Sequence, residues 1–198
     1  MLVKDIPQKK SEQTKDAIFQ KTFEIIAEKG FESVNHREVA QACGLSVGIV
    51  HKYLGPSKNQ LGVLMEYIVS RGHSLLAQIP PELTPLEKLK LSQKTNIEFF
   101  LSQPGYAILF LEFYLNSRFD DELHRRNSQL TKIAEARLTE ILTEAKKSKP
   151  AQLASILHSL LVGEITKFVA LKMKDKSEAI ERHLKQVEII FQASTAKL

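Results

Sequence analysis

The sequence predicts an all-α protein of about nine helices, and three observations carry that prediction. Apolar residues recur at three- and four-residue intervals through nearly the whole chain. The prolines, and glycines such as Gly30, Gly44 and Gly55, fall between the periodic segments. No stretch alternates apolar and polar residues for long enough to form a strand.

Each element follows from its own residues. The first helix spans about 11–29, with Ile18, Phe19, Thr22, Phe23, Ile25 and Ile26 on one face and Gly30 as its stop. Asn35 caps a second helix, with Glu38 three residues on as a variant capping box, and Gly44 ends it. Val39, Ala40 and Cys43 form its inner side, and Leu45 is a buried turn residue. Ser46 caps a third, short helix ending near Tyr53 or Leu54. Gly55-Pro56 breaks the chain before a fourth helix over 57–76, carrying Leu61, Leu64, Met65, Ile68 and Leu75. The polar, proline-containing stretch AQIPPELTP marks a boundary. Five more helices follow at about 85–101, 105–116, 120–147, 150–174 and 177–193, with Pro85 and Pro150 as first-turn prolines.

The composition excludes several classes. The chain has 198 residues, 43% hydrophobic and 26% charged, as expected of a globular protein with a real core. A single cysteine, Cys43, rules out an intrachain disulfide and a cysteine-based metal cluster, which suits a reducing cytoplasm. The first fifteen residues lack the apolar stretch of a signal peptide. The apolar run 106–115 is too short to span a bilayer, so no membrane partner is expected. The net charge of +5 is compatible with a nucleic-acid partner, but it is shared between the two halves and marks no binding face. No nucleophile motif, phosphate-cradling loop, metal-ligand spacing or cofactor motif appears, so neither an enzyme nor a metal or cofactor is expected.

The stretch QACGLSVGIVHKYL carries the functional signal. Two helices of about eight residues joined by a glycine turn make a helix-turn-helix. On the third helix Val50 and Leu54 fall on one side, toward a core, and Gly48 and Lys52 on the other, flanked by Ile49 and His51. A glycine inside a helix costs about 1 kcal/mol against alanine. Gly48 makes sense where the backbone must come close to a DNA duplex. Ser46 and the free amides beside it suit a phosphate, Lys52 a phosphate or guanine edge, and His51, Tyr53 and Lys58 phosphate oxygens. The competing readings are a structural helical hairpin with a solvated lysine, and a helical protein-interaction module that binds neither DNA nor ligand.

The segment FEIIAEKGFESVNHREVAQACGLSVGIVHKYLGPSKNQL resembles the DNA-binding domain of TetR-family transcriptional regulators. The shared pattern is a first helix ending in glycine, a short second helix, and a small-residue, glycine, hydrophobic, serine turn. A glycine-containing recognition helix ending in aromatic residues follows, then a serine-lysine pair. Asn35, Cys43, His51, Leu54 and Asn59 depart from it, and Gly55-Pro56 adds a residue before Ser57-Lys58.

The resemblance implies that Asn35, His36 and Arg37 sit over the DNA backbone, and that Ser46, Val47, Gly48, Ile49 and Lys52 face the groove. His51, Tyr53 and Lys58 then contact phosphates. An arm with Lys4, Lys9, Lys10 and Lys15 either trails along DNA or is a solvated terminus. The implied layout is an arm and head over 1–56, a connecting helix over 57–76, and a ligand-binding and dimerisation domain over 77–198. The protein is then a cytoplasmic regulator, a repressor, that binds a palindromic operator in double-stranded DNA as a homodimer and is released by a small, largely apolar ligand.

The implied pocket draws on Phe100, Tyr106, Phe110, Phe113, Tyr114 and His158, although most of this aromatic cluster reads equally as packed core. His158 and Glu164 are either satisfied polar groups or ligand-binding ones. The implied dimer surface uses Leu153, Ile156, Leu160, Gly163, Leu184, Val187 and Phe191. An ordinary intrachain helix interface has the same pattern.

Overall fold

The computed structural model describes residues 10–194, and every regular element among them is helical. In chain order these are α1 (Lys10–Lys29), α2 (His36–Cys43), α3 (Val47–Leu54), α4 (Gln60–Leu76), α5 (Pro85–Ser102), α6 (Pro104–Asn116), α7 (Asp121–Glu144), α8 (Pro150–Ala170) and α9 (Lys176–Ala193). Short 3-10 turns at Phe31–Ser33 and Ser57–Asn59 precede α2 and α4. The N-terminal stretch examined for a signal peptide, with Lys4, Lys9 and the side chain of Lys10, lies outside the described residues.

The helix starts follow their caps. The Asn35 side chain accepts from the Glu38 amide at 2.9 Å, and Ser46 Oγ from the Ile49 amide at 3.4 Å. Thr84 and Glu87 form a full capping box ahead of Pro85. Two helix ends differ from expectation. α7 stops at Glu144, short of 147, and α8 at Ala170, short of 174. Each ends where a lysine enters the left-handed region, Lys146 at φ 53° and Lys172 at φ 49°. The Lys146 and Lys147 amides bond the Thr143 and Leu142 carbonyls. Those of Lys172 and Met173 bond Val169 and Phe168 in the same way. Both are Schellman closures, like the one Gly44 makes at the end of α2 with φ 64°.

One main apolar cluster runs from Ile18, Phe19 and Phe23 in α1, through Val50 and Leu54 of α3 and Leu64 and Ile68 of α4, to Phe110, Phe113, Ile165 and Ile180. It crosses the boundary drawn after α4. α1 lies across the start of α6, where a Cβ added at Gly105 would stand 2.2 Å from the Phe23 carbonyl oxygen, so only glycine permits that approach. Next to it the Tyr106 ring meets Phe23 edge-on at 4.6 Å, and Phe19 meets Tyr67 of α4 the same way at 4.5 Å. Such ring pairs add roughly 0.5–1.5 kcal/mol each beyond area burial. Tyr67 donates to Asp16, which also pairs with Arg71, so α1 is tied to α4 by polar bonds as well. A second cluster, around Leu89, Leu138, Leu142, Leu157 and Val187, joins α5, α7, α8 and α9.

Several core expectations shift. On α4 it is Leu76 that is buried, while Leu75 is exposed. Cys43 and Leu45 are half-buried, though Val39 and Ala40 are fully inside. α6 buries most of its surface but leaves Leu115 exposed beyond the packed face. The sequence reading looked for a membrane span only in the run 106–115. α8 is long and apolar enough to cross a bilayer by length and composition. It instead packs Ala154, Leu157, Leu161, Ile165 and Phe168 against its neighbours.

Candidate nucleic-acid interface and effector cavity

α2 and α3 with the glycine turn form the predicted helix-turn-helix. Val50 and Leu54 are fully buried, which fixes the roll of α3 and sends its other side outward. That outward side carries Val47 at 45% exposure, Ile49 at 39%, and the exposed Ser46, Gly48, His51 and Lys52. A Cβ at Gly48 would meet nothing within 4 Å, and the position needs no left-handed backbone. The fold therefore does not require glycine there. Its helix-propensity cost is left unexplained by anything inside the chain.

Three cations surround this face with no carboxylate partner among the described residues. They are Arg37 near the start of α2, Lys52 on α3, whose ammonium lies 5.6 Å from the Tyr53 ring centroid, and Lys58 in the turn before α4. Elsewhere on the head Lys29 pairs with Glu38 and Lys21 with Glu24, while Lys15 lies over the Phe19 and Tyr67 rings. Unpaired positive charge on this face is what a phosphate backbone would meet.

Two predicted residues do local work. Asn35 spends its carboxamide on capping α2, accepting from Glu38 and donating to the Ser33 carbonyl. His36 does not stand free over the surface. Its Nε2 donates to the Gly55 carbonyl at 2.7 Å, Gln60 Nε2 is 3.1 Å from the same nitrogen, and its ring lies 5.1 Å from that of His51. The inserted Gly55 thus supplies the carbonyl that draws His36 inward.

A second feature is a cavity of about 150 Å³ between α4, α5, α6, α7 and α8. Of the pocket residues expected from the resemblance, Phe100, Phe110, Tyr114 and His158 line it. Tyr106 and Phe113 do not. Tyr106 is turned to α1, where Gln20 reaches its hydroxyl at 3.4 Å, and Phe113 is buried in the main cluster. Tyr114 donates to His158 Nε2 at 3.0 Å. Burial lowers the His158 pKa, against an opposing pull from Glu135, and keeps the imidazole a neutral acceptor. Sequence reasoning missed the walls given by α4 and α7, because Met65 and Ile68 read as packed core and Arg137 as an ordinary surface position of an amphipathic helix.

Glu164 is not a cavity group. It is buried, yet its pKa is lowered. Burial pushes it up, and the bonds from Arg182 at 2.8 Å and Lys167 at 3.3 Å overcome that. The residues expected at a dimer surface divide by burial. Val187 is fully buried within its own chain. Leu153, Leu160 and Phe191 pack on the second cluster and Leu184 on the main one. These four are half-buried, so part of each apolar stripe packs within the chain and part of it stays open. Ile156, at 51% exposure, and Gly163, open at its Cβ, remain outward, with Ile189 of α9.

These features define the class: a helix-turn-helix head packed on an all-helical body that encloses a cavity. Residues 18–62 match the family model for bacterial regulatory proteins of the tetR family. Over those residues the chain carries the helix-turn-helix DNA-binding domain of that family. Solved structures of similar fold include a TetR transcription regulator from Haloarcula marismortui, 18% identical with TM-score 0.80, over 92% of this chain and 98% of that one. A transcriptional regulator from Rhodococcus sp. RHA1 is 15% identical with TM-score 0.78, over 93% and 99%. A protein from Saccharomonospora viridis, solved in complex with choline, is 14% identical with TM-score 0.72, over 89% and 96%. At these identities the likeness is one of fold. No curated protein sequence matches the chain.

Proposed function

We propose that this regulator is a cytoplasmic, ligand-released repressor that grips a palindromic operator as a homodimer. The observation that carries the DNA contact is the exposed face of α3. It presents a glycine the fold does not need, in a head whose cations Arg37, Lys52 and Lys58 have no carboxylate partner among the described residues. α3 enters the major groove with Val47, Gly48 and Ile49 against base edges and Lys52 on a guanine or phosphate. Ser46, Arg37, Tyr53, His51 and Lys58 hold the flanking backbone. Asn35 and His36 act by fixing α2 rather than by reaching DNA. One head alone binds weakly, and two heads about one helical turn apart multiply the contacts.

The second copy docks on the outward face of α8 and α9, through Ile156, Ser159, Gly163 and Ile189, where small residues let a helix approach closely. The cavity takes a small, largely apolar effector. The Saccharomonospora viridis protein holds choline, a cation. The cavity here has aromatic walls but no acidic side chain among its described lining residues, so a cation is not its natural guest. Because α4 both follows the head and walls the cavity, occupancy shifts α4 and changes the spacing of the two heads.

The test is hydroxyl-radical footprinting of the full-length protein on its own upstream DNA. The expected result is two protected segments centred about one helical turn apart. A single protected half-site, or two liganded heads still at operator spacing with undiminished affinity, contradicts the dimer-release reading.

A further inference from the structure

Several polar side chains line the cavity with no side-chain hydrogen bond among the described residues, His73, Asn96 and Asn127 among them, and two of the cavity's groups, a guanidinium and a fully buried hydroxyl, share one end of it. Arg137 of α7 lines the wall, half-buried. It donates through Nη2 to the Leu76 carbonyl at the end of α4, its only hydrogen-bond partner among the described residues, and Glu140 on the same helix acts on it through charge alone. A guanidinium has five N–H donors, so most of this one's remain unspent on protein. Ser92 of α5 also lines the cavity. It is fully buried, and its hydroxyl has no hydrogen-bond partner among the described residues. Leu138, beside Arg137, packs in the cluster that holds Leu89, one turn before Ser92, so both groups belong to the same end. Phe99 and Phe100 lie seven and eight residues further along α5, about 10 Å away along the helix axis. At that other end Phe99 meets Phe100 edge-on, Phe100 lies tilted against Phe110 at 4.7 Å, and Tyr114 and His158 are hydrogen-bonded to each other.

We propose that the effector is a small apolar monocarboxylic acid, its carboxylate held by Arg137 and Ser92 and its body among Phe99, Phe100 and Phe110. This rests on the reading that the cavity holds the effector. A planar carboxylate matches the guanidinium fork, whose free N–H donors no protein carboxylate takes up among the described residues. A phosphate monoester brings close to two charges and finds one cation. An ammonium group meets an unpaired guanidinium and no lining carboxylate. A cavity of this size, comparable to one that accepts benzene, holds a single ring or a short chain.

Isothermal titration of the full-length protein with 3-phenylpropionate, 3-phenylpropanamide and propylbenzene tests this on one skeleton. The acid is expected to bind at least tenfold more tightly than the amide, and Arg137→Met to bring the two together, with Ser92→Ala weakening the acid by a smaller factor. Equal binding of acid and amide to the wild-type protein overturns the carboxylate assignment while leaving the cavity as an effector site. Binding of propylbenzene without the acid does the same. Failure of all three to bind overturns the cavity reading along with it.

Discussion

At the residue scale, Gly48 separates folding from function most cleanly. Nothing packs where its side chain would be, so Gly48→Ala is expected to raise stability by about 0.5–1 kcal/mol in denaturant melts. The same substitution is expected to weaken DNA binding, because a methyl group then stands where the duplex approaches. A variant that gains stability and keeps full affinity would show that this face does not enter a groove. Lys52→Ala removes the groove-facing charge and is expected to cost about 1–3 kcal/mol of binding if it reads a base. Lys58→Ala is expected to lower affinity evenly for all sequences and reduce the salt slope by about one. The sequence was most legible here. The caps Asn35 and Ser46, the turn at Gly44 and the burial of Val50 and Leu54 are local physics, set by residues within one or two turns. His36 was not legible, because its partner is a backbone carbonyl at Gly55 that no side-chain pattern announces.

At the element scale, helix starts were readable and helix ends less so. Gly44 signals its left-handed closure in the sequence, whereas Lys146 and Lys172 adopt the same conformation with no such signal, and the expected helices ran past them. Lys172→Gly is therefore expected to stabilise the protein by about 0.5–1 kcal/mol, as the side-chain strain of the left-handed region is removed. An unchanged or lowered melting point would mean the closure is not strained. The apolar stripes of α8 and α9 carry a related ambiguity. An amphipathic helix declares that it has an apolar face, not which helix will cover it, and α9 spends Val187 and Leu184 on its own chain. Gly105 carries the opposite lesson. Gly105→Ala would push a methyl carbon into the Phe23 carbonyl, and it is expected to cost several kcal/mol and to separate α1 from α6.

For the whole molecule, the continuous core means that head and body do not unfold independently, and buried titratable groups set its acid limit. His183 is fully buried, its Nε2 donating to Gln93 at 2.8 Å, and burial lowers its pKa to about 4. The folded state then binds the proton less readily than the unfolded one. The His183 contribution is present above about pH 6.5 and is lost as the pH falls toward 4, a loss of roughly 3 kcal/mol. Urea melts at pH 7.5 and pH 5 are expected to show this drop in the wild type and a smaller one in His183→Gln. Equal drops in both would place the acid sensitivity elsewhere. The overall helical architecture was legible from periodicity alone. The cavity was only partly so, since Arg137 and Ser92 come together through the packing of α5 on α7, a contact between distant segments.

The most direct test of the central claim is fluorescence-anisotropy titration of the full-length protein against fragments of its own upstream DNA at low and near-physiological salt. Tight binding to one fragment over the others, falling steeply with salt, is the predicted result for an α3 face flanked by unpaired cations. Weak binding to every fragment, or tight binding insensitive to salt, would contradict it.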